Sequence, residues 1–507
     1  MYGIGAKGQG GCYIVIFNSV DYLIFFPIVV LLYFLLPQKL RNFWLLLASY
    51  YFYMNWNAGY ALLLLGSTLV TYLCGLLLDR LREKKRAAGM KLLLCVSFLL
   101  NLGILFVFKY ADFFADNLGR LCAAGGYDVT IRRFDFVLPV GISFYIFQAL
   151  GYTMDVYRGQ ARAEKNFFKY ALFVSFFPQL VAGPIERSRN LLRQFDEKHT
   201  FEVERVRKGL LMMAWGLFMK VVIADNLSIL VQAVYEDYLA YTGVEIVFAT
   251  VLFAIQIYCD FGGYSYLAIG SAGVLGFTLM DNFKAPYTAG SVHDFWKRWH
   301  ISLTTWFTDY LYIPLGGNRK GKLRKYLNVM IVFLVSGLWH GADWSFVVWG
   351  GLNGLYMVAE EATGPLRARL CKTLRVDKTG ISYRFFAWLF TFALIDFSWL
   401  FFCAEDMTAA IGMLRQIKAN PGLYGLFFGF LEHFPIDVTT AVVLGLALLA
   451  LVAFDVMLAQ GRSLINEILK QGAAFRYLVY AMLLLTIMCF GVYGYEYAQT
   501  AFIYFQF

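Results

Sequence analysis

Apolar blocks of about 17 to 25 residues recur along this chain, and each is long enough to cross a hydrocarbon core of roughly 30 Å as a helix rising 1.5 Å per residue. The full sequence of 507 residues is 60% hydrophobic and only 15% charged, where soluble domains run near one-quarter charged. A span has no water for its backbone polar groups, so helices follow, with any broken backbone turned toward protein or a cavity. The expected fold is all-α: a polytopic transmembrane bundle of about ten to twelve spans with re-entrant segments, embedded in the lipid bilayer. Without a linker rich in Pro or Ser and without a repeat, residues 1–507 read as one membrane domain. Residues 1–18 form a surface segment before a retained first span at Val20–Pro37, and 499–507 form a tail.

The net charge of +10 does not point to nucleic acid, because the Lys and Arg residues sit in short loops, as the positive-inside bias requires. Asp79–Lys91, with Arg80, Arg82, Lys84, Lys85, Arg86 and Lys91, is read as cytoplasmic. Counting from it puts the N-terminus outside, Leu92–Tyr110 as an exit, Ala111–Phe136 as an outside loop and the C-terminus outside. Phe167–Pro184 has basic segments on both sides, which a single crossing cannot satisfy, so it reads as re-entrant, turning near Phe177-Pro178. Gly262, Gly263, Gly270, Gly273 and Gly276 permit close packing or a broken helix between Asp260 and Asn318. The eight cysteines show neither metal-site nor disulfide spacing, and no metal is expected.

Five histidines occur, and two carry the chemistry. His340, in Leu338-Trp339-His340-Gly341-Ala342-Asp343-Trp344, ends a 14-residue apolar run, about 21 Å from where the run begins. Ionisable side chains at that depth usually line a site or pathway, and Trp339, Asp343 and Trp344 are its candidate lining. A neutral core imidazole bonded to a carbonyl is the other reading. His300 lies in Asp294-Phe295-Trp296-Lys297-Arg298-Trp299-His300. At helical spacing, Phe295, Trp299, Leu303, Trp306 and Tyr310 form an apolar stripe, and His293, Lys297, His300 and Thr304 a polar one. That pattern suits a helix at an interface or beside a cavity, with Lys297, Arg298 and Trp299 as further lining candidates.

Together with Val181-Ala182-Gly183-Pro184-Ile185-Glu186-Arg187 and the run Tyr310 to Arg319, these motifs resemble the membrane-bound O-acyltransferase family over most of the chain. Within it the chain looks most like the membrane subunits that O-acetylate bacterial exopolysaccharides such as alginate, with the teichoic-acid D-alanylation subunit next. The resemblance implies a central tunnel with His340 at its middle and His300 as second histidine. It also implies an acyl cargo, acetyl by the nearest resemblance, carried by acetyl-CoA or an acyl carrier protein thioester as substrate, with no tightly bound cofactor. Its further implications are a polysaccharide acceptor, an extracytoplasmic esterase-like partner transferase and a bacterial cell membrane location. Asn353 stands where many bacterial relatives have His and is left out of the catalytic set.

Acyl transfer from thioester to alcohol needs a base for the hydroxyl proton, and imidazole, with a pKa near 6.5, suits that. The basic loops at Arg187 and Arg319 are candidates for coenzyme A phosphates. The tail Ala501-Phe502-Ile503-Tyr504-Phe505-Gln506-Phe507 resembles the ending of the small D-alanylation partner peptide, which makes Tyr504 a candidate acyl relay; an aromatic membrane anchor is the other reading. D-alanyl transfer to teichoic acid, a proton-coupled transporter and a scaffold with structural histidines remain alternatives. Cysteine labelling in intact cells is expected to reach position 236 and the C-terminus from outside, and positions 82, 193, 322 and 369 from the cytoplasm alone. Labelling of position 193 from outside would overturn the re-entrant reading.

Overall fold

The computed structural model describes residues 17–127, 129, 133–134, 136–181, 183–422 and 433–493. Every regular element among them is helical. Among the described residues seven helices are long and apolar enough to cross a membrane: Tyr60–Glu83, Ala87–Ala124, Val203–Glu236, Gly243–Leu275, Ile381–Cys403, Val438–Ala459 and Ala473–Phe490. The other expected spans form shorter or less apolar helices, Val20–Leu35, Gln38–Met54, Ile142–Arg158, Lys322–His340 and Trp344–Ala362. Tyr504 and the tail, like most of the N-terminal surface segment, lie outside the described residues.

Two compact units are formed, residues 1–213 with 266–280 and residues 214–265 with 281–507. In the first, the helix begun at Ala87 does not end at Tyr110. It continues through a π-helical stretch, Phe106–Tyr110, to Ala124, carrying Gly119 within it and meeting no proline, and ends before Gly125-Gly126, where Gly126 takes a φ of 83°. This replaces the first part of the expected loop after Tyr110 with 14 helical residues, about four turns.

Phe167–Pro184 does break. A nine-residue helix, Phe167–Ser175, stops at Phe176 and a single turn, Phe177–Leu180, follows; at 1.5 Å per residue the longer piece covers about 14 Å, less than half a bilayer core. Helix ends leave carbonyl and amide groups without intrahelical partners, and three buried side chains take them up. Gln148 Nε2 (2.5 Å) and Gln179 Nε2 (3.0 Å) both donate to the Phe173 carbonyl, and Phe177 N–H donates to Ser49 Oγ at 3.1 Å.

Within the second unit, Gly263 lies so close to the preceding long helix that an added Cβ would sit 2.6 Å from the Gly216 carbonyl oxygen. The helix carrying Gly262, Gly263, Gly270 and Gly273 is unbroken from Gly243 to Leu275; Gly263 and Gly270 serve close approach to backbone, and the expected break comes after it, at Gly276 with φ 104°. A π-helical segment, Phe218–Ala224, carries Lys220, whose Nζ lies 2.7 Å from both Asp225 and Asp260 with all three side chains almost wholly buried. Charges withdrawn from water persist when paired in this way.

Lys322–His340 and Trp344–Ala362 form a hairpin turned by three residues. A Cβ on Gly337 would strike the Phe346 carbonyl, and one on Gly350 the Phe333 carbonyl, whereas at neighbouring Gly351 the nearest atom would be 3.7 Å away. Small residues here let two backbones touch. Gly337→Ala and Gly350→Ala are each expected to destabilise the protein by about 1–3 kcal/mol through overpacking, while Gly351→Ala gains up to about 1 kcal/mol of helix propensity. Thermal unfolding in detergent should show opposite shifts for the two classes; equal shifts would contradict the close-packed seam.

Candidate active site

His340 is the last residue of its helix, placed where the hairpin turns. Gly341 follows in extended conformation, packed so tightly on Phe346 that a side chain there would collide with the ring. Asp343 then caps the next helix, its Oδ1 accepting the Ser345 N–H at 2.7 Å. The His340 ring is 3% exposed and sits edge-on between Trp339 (4.9 Å between centroids), Trp349 (5.0 Å) and Phe402 (5.3 Å).

His300 arrives from a different element. The motif read as one helix forms two, Val292–Arg298 and Ile301–Phe307, with His300 between them at φ 42°. A left-handed backbone at a non-glycine residue costs on the order of 1–3 kcal/mol and persists only where its surroundings impose it. Asn282 imposes it: its carbonyl accepts the Ile301 N–H at 2.9 Å, and its side-chain Oδ1 lies 3.0 Å from His300 Nδ1 and 2.8 Å from Ser302 Oγ. Phe261 packs edge-on against the imidazole at 4.6 Å. With its ring 1% exposed, His300 lies 6.5 Å from His340, centroid to centroid, and both rings contact Trp339.

The two imidazoles share a cavity of about 690 Å³. Along the Lys322–His340 helix its wall is formed by Lys325, Val329, Val332, Ser336 and His340, one face sampled every three or four residues. Fifteen residues separate its first and last members, so the cleft runs about 22 Å from a charged mouth to the histidines. Lys297, Lys325, Glu360 and Glu361 stand among the polar lining, with Lys325 ion-paired to Glu361 at 2.5 Å; Val329, Val332, Phe333, Met357 and Val358 make the middle apolar.

His293, Lys297, His300 and Thr304 all line this cleft, so the polar stripe keeps a common face although its helix is broken. Trp299 lines it too. Trp339 packs on both histidines, Trp344 is 48% exposed, and Asp343 is engaged as a helix cap. Arg298 turns to Asp294 and Thr288, at 2.9 and 3.1 Å. Neither Arg187 nor Arg319 lines the cleft, whose cationic lining is Lys297 and Lys325. Asn353, fully buried, donates to the Trp349 carbonyl and to Ser398 Oγ. Asn282, Phe261 and Phe402 had no local sequence signal, since each comes to the histidines from a distant element, and Ser302, two residues from His300, was passed over because a serine in a helix seldom signals a site. Among the described residues no group of His, Cys, Asp or Glu is arranged to hold a metal ion.

Comparison with known proteins shows the family. The sequence profile of the membrane-bound O-acyltransferase family matches residues 161–404, which contain both histidines. A protein of Pseudomonas putida named as a probable alginate O-acetylase is 37% identical over 442 residues, covering 87% of this chain and 86% of its own length. The peptidoglycan O-acetyltransferase of Helicobacter pylori is 33% identical over 446 residues, covering 82% and 81%. The teichoic acid D-alanyltransferase of Streptococcus thermophilus is more distant, 26% identical over 47% of this chain and 60% of its own. A profile spanning the site and relatives matched over most of both chains leave no room for the transporter or scaffold readings: this multi-pass membrane protein is an O-acyltransferase and belongs to the membrane-bound O-acyltransferase family.

Proposed function

We propose that the protein moves an acetyl group from a cytoplasmic thioester, acetyl-CoA or an acyl carrier protein, to an acceptor hydroxyl, for delivery to an extracytoplasmic polysaccharide. The observation that carries this reading is the 690 Å³ cleft that joins a charged mouth to two buried histidines. A narrow apolar passage suits an extended carrier arm, with its anionic end at Lys297 and Lys325 and its thioester at the imidazoles. The relatives named for alginate and peptidoglycan O-acetylation support acetyl as cargo and a polysaccharide as final acceptor. The D-alanyltransferases, matched over about half of this chain, favour D-alanyl less.

In the transfer step the acceptor oxygen attacks the thioester carbonyl, His340 takes the hydroxyl proton, and collapse of the tetrahedral intermediate expels the thiolate, which receives that proton. General base assistance of this kind contributes roughly 10²- to 10⁴-fold. The indole and phenyl walls around His340 keep water from competing for the thioester.

The first acceptor in this proposal is Tyr504, in the tail. An acetylated phenol is a good relay because phenoxide, of pKa near 10, leaves more readily than an alkoxide; an esterase-like partner outside the membrane then passes the acetyl group to polysaccharide. Orientation enters from the basic loops, which put the charged mouth near Lys325 on the cytoplasmic side.

His340→Ala is expected to insert and extract normally and to lose at least about 10²-fold in transfer, read as thioester consumption by purified protein; parental turnover would refute the assignment. His300→Ala should show a large but incomplete loss, and unchanged donor binding and turnover would reduce this residue to packing. Tyr504→Phe keeps the ring and removes one oxygen. Mass spectrometry of the envelope polysaccharide should find O-acetylation abolished in that variant, whereas parental acetylation would leave the tail as a membrane anchor.

A further inference from the structure

We infer that Asn282 fixes the tautomer of His300, so that this imidazole carries its proton on Nδ1 and its lone pair on Nε2. The orientation of the Asn282 amide decides the matter. Its Oδ1 faces the Ser302 backbone N–H at 3.4 Å, and a backbone N–H can only donate, so the atom opposite is the oxygen. Ser302 Oγ donates to the same oxygen at 2.8 Å. The other amide edge is consistent, with Nδ2 donating to Ser265 Oγ at 3.1 Å. An amide oxygen accepts and never donates, so the 3.0 Å contact with His300 Nδ1 requires the proton to sit on Nδ1.

The ring is held in this pose from several directions. Main-chain bonding of Ile301 N–H to the Asn282 carbonyl fixes the left-handed turn at His300, and Phe261 and Trp339 pack on the ring at 4.6 and 5.9 Å. Rotating the ring by half a turn would put a carbon against Asn282 Oδ1 and forfeit the bond. The nitrogen at which one imidazole edge is protonated is set by what the other edge is bonded to, and a base oriented by a third group is the general logic of side chains that move protons. Asn282 is thus a positioning residue: resting on the acyl-transfer reading of this site, it makes His300 a proton acceptor at Nε2 toward whatever enters the cleft.

The sequence makes a direct test practical, since there are five histidines in all. Protein labelled with ¹⁵N-histidine and reconstituted in lipid is examined by solid-state NMR, in which protonated and bare imidazole nitrogens are well separated, and the His300 signals are those missing from His300→Gln. The expected result is a protonated Nδ1 and a bare Nε2 at His300. Asn282→Leu should move the proton to Nε2 or mix the tautomers, and slow turnover at least about tenfold with the donor KM within about threefold, a part of what a general base supplies. Asn282→Asp keeps the acceptor, and Ser265 can turn its hydroxyl to donate to the new oxygen, so it should retain Nδ1–H and near-parental turnover. An Nε2-protonated His300 in the parent protein overturns the inference by itself, whether or not the variants fold, as does an Asn282→Leu protein that keeps Nδ1–H. If the parent shows Nδ1–H while His300→Gln turns over at full rate, the tautomer assignment stands and the catalytic reading of His300 is what fails.

Discussion

A chain in a bilayer has nowhere to send an unpaired backbone group, and the structure depends on that constraint more than on any other. Hydrocarbon offers no hydrogen bonds, so each departure from helix has to be closed by the protein itself. Two breaks illustrate the solution. At Phe176 the exposed carbonyl of Phe173 is taken by two glutamines and the amide of Phe177 by Ser49. At His300 the displaced groups are taken by Asn282, which bonds the main chain of Ile301, the side chain of Ser302 and the imidazole itself. In the second case the groups that close the break also orient an imidazole that lines the cleft, so sealing the backbone and shaping the cleft are one act.

Close approach of helices does the complementary work of bringing distant residues together. Without a hydrophobic driving force between helices, contact is gained from small residues and van der Waals packing. Gly337 and Gly350 let the hairpin close until each backbone meets the carbonyl of a phenylalanine opposite, which fixes His340 at the turn and sets Trp349 against it. Trp399 extends the same aromatic wall, stacked on Trp349 at 5.7 Å and beside Trp299 at 5.1 Å. The histidines are held by geometry that a side chain one methyl larger at a seam position would disturb.

Polar groups elsewhere in the membrane-facing units follow the same economy. Lys220 is shared between Asp225 and Asp260, and the Tyr258 hydroxyl donates to Asp455 at 2.8 Å. An isolated charge at such positions would be strongly unfavourable, and removing one partner from a buried pair typically costs about 3–5 kcal/mol. These clusters tie the π-helical segment and the helix that carries Phe261 into one frame, and Phe261 in turn packs on His300.

Much was legible in the sequence, and for identifiable reasons. Apolar length alone dictated a polytopic helical protein, because hydrocarbon thickness and helical rise leave no other way to bury such blocks. The basic segments flanking Phe167–Pro184 pointed to a stretch that does not cross, and its nine-residue helix broken at Phe176 is too short to do so. His340 stood out because ionisable groups are rare in apolar runs, and His300 because it falls on the polar stripe of an amphipathic pattern. Other features were decided by tertiary contact. Periodicity read one helix through His300, since a 3.6-residue pattern cannot register a single left-handed residue imposed by Asn282 from 18 positions away. It read a loop after Tyr110, where the helix runs on to Ala124, because scattered polar side chains, and even Gly119, are compatible with helix where no proline intervenes. Which lysines line the cleft, and which indoles wall the histidines, depended on how the hairpin of Lys322–His340 and Trp344–Ala362 packs. The sequence by itself determined that the chain spans a membrane and singled out two imidazoles; that they stand 6.5 Å apart lining one cleft was decided by the tertiary structure, because that distance is set by side chains that are far apart in the chain and meet only when helices close on glycine.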